Sequence, residues 1–234
     1  MQLIVVDETA SNQHRQLIEP MLRLRARVFA GRLNWQVESQ HGLERDRFDD
    51  HGPTYIVGVE DGVHVVGCVR LLPPMRSSML NEVFPDLLDG QPLQAHARMI
   101  ESSRFCIDRD LSHVKATQEG LTSSRYRGSK GADTHRASII QLRTRILLAG
   151  IVEWSLSCGY SELVTATDVK FERLLNMVGW PLRRLGSPRM INETHSVAGS
   201  LEISRDILRL LKPEGYSSLF DQSAEAGLGA GGKR

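Results

Sequence analysis

The run Tyr55-Ile-Val-Gly-Val-Glu60-Asp61-Gly62-Val63-His-Val-Val-Gly-Cys-Val-Arg70-Leu-Leu72 reads as two strands and the turn between them. Valine, isoleucine and tyrosine fit a pleated, half-buried surface, and Asp-Gly tolerates the positive φ that a tight hairpin turn requires. Pro73-Pro74 then ends the second strand, because proline offers no ladder N–H and restricts the residue before it. Tyr55 to Glu60 and Val63 to Leu72 therefore form an antiparallel hairpin. Arg70 stands inside an otherwise apolar run, and a charge in a covered strand demands a buried partner.

Working outward, Gln2 to Val6 reads as a strand, and Asn12 to Phe29 carries Leu17, Ile18, Met21, Leu22, Leu24 and Val28 at helical spacing. Downstream come a short helix over Met79 to Leu88 and a strand over Arg98 to Ile107. The polar segment 108–134 reads as a long mobile loop. Ala137 to Cys158 has an apolar residue every three to four positions and is the buried central helix. A strand over Glu162 to Thr167 follows, then an amphipathic helix over Val169 to Val178 stopped at Gly179. Trp180 to Leu185 and Val197 to Ile203 are two further strands, and Asp206 to Lys212 is the last helix. This order predicts an α/β fold, one domain over residues 1–221 with a mixed central sheet covered by helices on both faces. The Gly-rich residues 222–234 are expected to be a disordered tail. A sheet of this kind leaves room for a small-molecule cleft between splayed strands.

Charge and cysteine usage narrow the function. Among 234 residues, 29 are basic and 28 acidic, so the net charge of +1 offers no general means of displacing counterions from a nucleic acid. No apolar run approaches the ~18 residues of a membrane span, and the N-terminus reads as a strand rather than a signal peptide. Cys68, Cys106 and Cys158 lack CxxC spacing and have apolar neighbours, which predicts buried free thiols in a cytoplasmic protein. The histidines show no metal-ligand spacing, so no metal is expected.

Three clusters carry chemistry. In Arg25-Ala-Arg-Val-Phe29 a helix would set Arg25 and Phe29 on one face, with Trp35 close behind. An arginine fork suits a carboxylate and an aromatic wall suits a sulfonium, although a surface arginine beside core aromatics has the same pattern. Gly42-Leu-Glu44-Arg-Asp46-Arg-Phe48-Asp49 interleaves acids and arginines, as a solvated loop does, or as a segment does whose Asp46 and Asp49 fold back onto Arg70. In Glu101-Ser-Ser-Arg104-Phe105, strand alternation puts Glu101 with Ser103 and Arg104 with Ser102 unless a bulge redirects them. Glu101 beside Ile100 and Phe105 is either a general base with a raised pKa or half of a plain ion pair.

Taken together, these clusters, with Arg70-Leu-Leu-Pro73 and Val83-Phe84-Pro85, resemble the acyl-homoserine-lactone synthases, the autoinducer synthases of bacterial quorum sensing. The resemblance runs from about Arg23 to Gly186. It implies an α/β/α sandwich similar to the GCN5-related N-acyltransferases. The implied activity joins S-adenosylmethionine to an acyl group from an acyl carrier protein, acylating the methionyl amine and then closing the lactone with release of methylthioadenosine. No further cofactor is implied. Glu101 and Arg104 would be catalytic, Arg25, Phe29 and Trp35 would bind S-adenosylmethionine, and Asp46, Asp49 and Arg70 would form an electrostatic cluster.

The acyl pocket is expected from Phe84, Phe105, Leu142, Ile146 and the strand Leu163 to Ala166, in which Thr165 stands where a family threonine goes with 3-oxo-acyl substrates. Arg143, Lys170, Arg173 and Arg184 are expected to make a basic docking face for an acidic carrier protein. Met177, where the family often has a basic residue, leaves room for an acyl-coenzyme A donor. Two competing functions are a coenzyme A-dependent N-acyltransferase on another amine, whose Gly-rich pyrophosphate loop is not found, and a non-catalytic ligand-binding module, which would not need Glu101.

Overall fold

The structure, a computed structural model, describes residues 1–33, 35–111 and 129–219, with backbone alone over 129–133. Strand β1 (Gln2–Val6) leads through a short helix α1 (Asn12–Arg15) to α2 (Ile18–Ala26), which continues as a π-helical turn over Arg27–Arg32. A two-residue hairpin, β2 (Ser39–Gln40) and β3 (Leu43–Glu44), sits in the segment that sequence reading left without structure. The principal hairpin is β4 (Thr54–Glu60) and β5 (His64–Leu72), and Asp61 and Gly62 at its turn both have positive φ, 52° and 70°.

The second half begins with α3 (Met79–Glu82), a 3-10 turn over Pro85–Leu88, and β6 (Met99–Ile107). Helix α4 spans Ser129–Ser157, so it opens inside the segment read as a loop, while 112–128 and the tail beyond 219 lie outside the described residues. Then come β7 (Glu162–Asp168), α5 (Val169–Met177), the short strands β8 (Arg183–Arg184) and β9 (Arg189–Ile191), β10 (Thr194–Glu202) and α6 (Arg205–Leu211). No helix among the described residues is long and apolar enough to cross a membrane.

The sheet order is β1-β4-β5-β6-β7-β10-β8, with β9 also on β10; every pairing is antiparallel except β6 with β7. One face packs on α4 through Val69, Leu71, Ile100, Leu147, Ile151, Leu163 and Trp180. The other packs on α2 through Met21, Leu24, Phe29, Tyr55, Val57, Cys68 and Cys106, and on α3 and its 3-10 turn through Leu80, Leu87, Met99 and Val164. This is the mixed sheet with helices on both faces that the element order predicts.

Two irregularities position the site. The parallel ladder runs only from Met99–Glu162 to Ser102–Thr165, after which β6 and β7 part. The antiparallel ladder of β5 with β6 shifts register between Cys68 and Arg70, opposite Arg104 and Phe105, and Arg104 there has φ 55°. A bulge of one extra residue reverses the facing of everything beyond it.

Candidate active site

The register shift brings Arg104 onto the face that carries Glu101 and Ser103. A left-handed backbone costs a non-glycine residue about 1–2 kcal/mol. The return is a pair of ion pairs: Arg104 Nε donates to Glu44 Oε1 at 3.0 Å and Nη2 to Asp46 Oδ2 at 2.6 Å. Arg70 meets the other side of Asp46 through Nη1 at 2.5 Å and Nη2 at 3.0 Å, and its Nε donates to Ser103 Oγ. Arg70 Nη1 also lies 2.9 Å from Asp49 Oδ1. Asp49 is held bidentately by Arg25 at 2.8 and 2.9 Å, and Arg25 Nε reaches Glu44 Oε2 at 2.5 Å. Each acid thus bridges two arginines, and the six charges close into a neutral ring.

Local structure presents these acids. Asp46 caps the 3-10 turn Arg47–Asp50 by accepting from Phe48 N at 2.9 Å, and Asp46 N donates to Asp49 Oδ2 at 2.9 Å, a reciprocal capping box. Tyr55 donates its hydroxyl to Asp49 Oδ1 at 2.7 Å. Burial alone would raise Asp49, but the hydrogen bonds and charges of Arg25 and Arg70, with the Tyr55 hydroxyl, hold it well below the usual carboxylate range. Asp46 is lowered in the same way, burial being outweighed by Arg70 and Arg104.

Glu101 is the contrasting acid. Its carboxylate is buried and accepts from Met79 N at 3.0 Å and Leu80 N at 2.9 Å at the start of α3. Burial pushes its pKa up to about 7, against the pull of those N–H groups and of Arg70. A carboxyl poised there exchanges protons readily near neutral pH.

Glu101 opens on a cavity of about 630 Å³. Phe29, Trp35, Asp46 and Arg104 line it together, with the rings of Phe29 and Trp35 stacked at 5.2 Å and the Arg104 guanidinium 5.5 Å from the Phe29 centroid. Its wall includes Ser102 to Phe105 and Thr165 to Asp168, the two strand edges that part beyond the last β6–β7 pair. It is also lined by Met79 from one face of the sheet and Leu148 and Ile151 from α4 on the other, so it threads the sheet through that gap.

The family model described as autoinducer synthase matches residues 9–126 and 119–211. An acyl-homoserine-lactone synthase of Agrobacterium fabrum is 41% identical over 219 residues, covering 94% of each chain. The chain belongs to the acyl-homoserine-lactone synthases. The crystal structure of TofI in a ternary complex with an inhibitor and MTA is 27% identical, with TM-score 0.69 over 90% of this chain and 96% of that one. The CoA-dependent acyl-homoserine lactone synthase BjaI, at 22% identity, shares the fold with TM-score 0.73 over 90% of this chain and 87% of that one.

In this synthase the structure gathers Glu101, Arg104, Phe29, Trp35, Asp46, Phe84, Phe105 and Thr165 around one cavity, with Asp49 and Arg70 behind it. Arg25, expected to contact S-adenosylmethionine, does not line the cavity: its side chain is fully buried and its fork is taken by Glu44 and Asp49. Leu142 and Ile146 are likewise absent from the cavity wall. Leu142 is 46% exposed, and Ile146 packs at the margin of the α4 core.

Arg143 cannot belong to a docking face. It is buried, donating to both oxygens of Glu60 at 2.9 and 2.6 Å and to the Asp108 carbonyl at 2.8 Å. Arg184 is exposed but donates to both oxygens of Glu172, whereas Lys170 and Arg173 lie on the surface as expected. Cys158 is exposed, unlike the buried pair Cys68 and Cys106, whose sulfurs are 3.4 Å apart.

Sequence reading assigned no role to Glu44, Tyr55 or Ser103, and missed the apolar end of the cavity at Leu148, Ile151, Leu175 and Trp180. Tyr55 carried one signal: a tyrosine in a buried strand needs a partner for its hydroxyl.

Proposed function

We propose that this synthase acylates the amine of S-adenosylmethionine with an acyl group delivered by an acyl carrier protein, and then closes the lactone with release of methylthioadenosine. The observation that carries the reading is Glu101, a buried carboxyl raised to about 7 in the wall of the cavity that also holds Phe29, Trp35 and Arg104. An α-amine has an ordinary pKa of about 7.7–8.0, so passing its proton to such a carboxylate is nearly balanced. The neutral amine then attacks the thioester carbonyl. Charge gathering on that oxygen meets backbone N–H groups on the edges of β6 and β7 where the ladder has ended.

Phe29 and Trp35 give the sulfonium an aromatic wall, and Arg104, already fixed by Glu44 and Asp46, gives the methionyl carboxylate a cation. Lactone closure needs mainly alignment, because carboxylate and γ-carbon belong to one molecule. The neutral ring of Arg25, Glu44, Arg104, Asp46, Arg70 and Asp49 holds the N-terminal segment over the cleft. Phe84, Phe105 and Thr165 contact the acyl group. Thr165 Oγ1 donates to the Ser102 carbonyl at 3.0 Å, so binding a 3-oxo group requires it to exchange that bond for the substrate's.

Acyl-coenzyme A is the second reading for the donor. It is favoured by the loss of Arg143 from the docking face, the pairing of Arg184, and Met177, which is 80% exposed. The test is methylthioadenosine release by purified enzyme given S-adenosylmethionine with matched acyl-carrier-protein or acyl-coenzyme A thioesters. Higher kcat/KM with the carrier protein, lowered at least tenfold by Lys170→Glu with Arg173→Glu, is the expected result. Preference for coenzyme A, unmoved by those substitutions, would reject the carrier-protein donor.

A further inference from the structure

We propose that Trp180 sets the length of acyl chain this synthase accepts, an inference that rests on the acyl-transfer reading above. Beyond the gap between β6 and β7, the cavity continues into the core on the α4 side. There it is walled by Leu148, Ile151, Leu163, Leu175, Trp180 and Leu201, each at most 2% exposed. Among the described residues these six side chains are apolar, save for the indole N–H that is bonded to the Glu202 carbonyl, so this end takes a hydrocarbon and disfavours polar groups.

The level of the floor follows from strand register. Thr165 lies opposite Gly199 and Leu163 opposite Leu201, so the Leu163–Leu201 level is two residues below the threonine, about 7 Å along the strand. The indole is anchored at that level: Trp180 Nε1 donates to the Glu202 carbonyl at 2.7 Å, one residue beyond Leu201. Its backbone is held too, since Trp180 N donates to Leu175 O at 2.9 Å and the preceding Gly179 turns the chain at φ 82°. Leu148 and Ile151 come to this end from α4, Leu163 from β7 and Leu201 from β10. Trp180 enters instead from the turn after α5 and is tied to the end of β10, which makes it the side chain assigned to close the channel. Swinging the ring aside would break the indole hydrogen bond to the Glu202 carbonyl inside the core, so the stop is fixed rather than elastic.

The experiment uses the full chain with S-adenosylmethionine and saturated acyl thioesters that differ by two methylenes, on whichever carrier the wild type accepts. It compares wild type with Trp180→Leu, Trp180→Ala and Leu175→Phe. A methylene gained or lost in an apolar pocket changes kcat/KM by roughly tenfold or more. The two Trp180 variants are expected to shift the optimum to longer chains, raising the ratio of long-chain to wild-type-length kcat/KM at least tenfold. Leu175→Phe, which fills the same end, is expected to shift it to shorter chains.

Thermal melts identify variants that fold, and the milder Trp180→Leu and Leu175→Phe carry the test should Trp180→Ala not fold. A uniform loss across all chain lengths, or an unchanged profile in folded variants, overturns the length assignment while leaving the acyl-transfer reading intact. Failure of the wild type to release methylthioadenosine with every thioester overturns that reading and the assignment with it.

Discussion

Replacing Glu101 with glutamine separates its chemistry from its packing. The wild-type carboxyl has an ordinary pKa of 4.5 and is raised to about 7 in the folded protein. A raised carboxyl contributes stability that is fully present below the unfolded pKa and is lost as pH climbs through the folded value. At about 1.4 kcal/mol per unit of pKa difference, this residue alone should remove about 2 to 3 kcal/mol of stability between pH 5 and pH 8.

Glutamine does not titrate, so this slope disappears in the variant. Its amide keeps one acceptor for the Met79 and Leu80 N–H groups but turns a donor toward the other, which costs about 1–3 kcal/mol at every pH. Glu101→Gln should therefore be less stable than wild type at pH 5 and close to it, or above it, at pH 8. Urea unfolding of both proteins across that range measures the difference. A difference that stays flat with pH would refute a raised Glu101, whatever the variant's activity. Turnover should fall by roughly 10²–10⁴ on loss of the base, and wild-type kcat/KM should rise with pH through an apparent pKa near 7.

Three more outcomes follow from the geometry. Asp49→Asn leaves Arg25 and Arg70 buried without their shared counter-ion and should cost about 3–5 kcal/mol in denaturant unfolding; a loss within 1 kcal/mol would show that the ring is not a stability element. Asp49 is held low, so wild type should lose stability as pH falls below the ordinary aspartate range near 4, a decline that Asp49→Asn should lack in part. Thr165→Val removes the hydrogen bond to the Ser102 carbonyl and should destabilise by about 0.5–1.5 kcal/mol while changing the relative use of 3-oxo and unsubstituted acyl thioesters. Equal use of both substrates before and after the change would remove Thr165 from acyl recognition.

The hairpin, the element order and the mixed sheet were legible in the sequence because each rests on local physics. Asp61-Gly62 supports two positive φ values wherever it stands, and apolar period alone separates α4 from its neighbouring strands. The charged residues of the site were legible as well, since Arg70 in an apolar strand announces a buried counter-ion. Which acid meets which arginine was not. Glu44, Asp46 and Asp49 are near neighbours in sequence, but their partners Arg25, Arg70 and Arg104 come from three elements that only packing brings together.

Polarity misled where tertiary contacts reversed it. On α4 the charged Arg143 turns inward to Glu60 and the Asp108 carbonyl, which places the adjacent Leu142, a helical step of about 100° away, in solvent. The facing of Arg104 was open for the same kind of reason: alternation assigns it to the α4 side, and one bulge residue, set by the pairing of β6 with β5, returns it to Glu101. Composition and local propensity thus determined which strands, helices and charges this synthase has. Register and burial, which depend on contacts between residues far apart in the chain, decided which of those charges meet substrate, which only hold one another, and where the acyl channel ends.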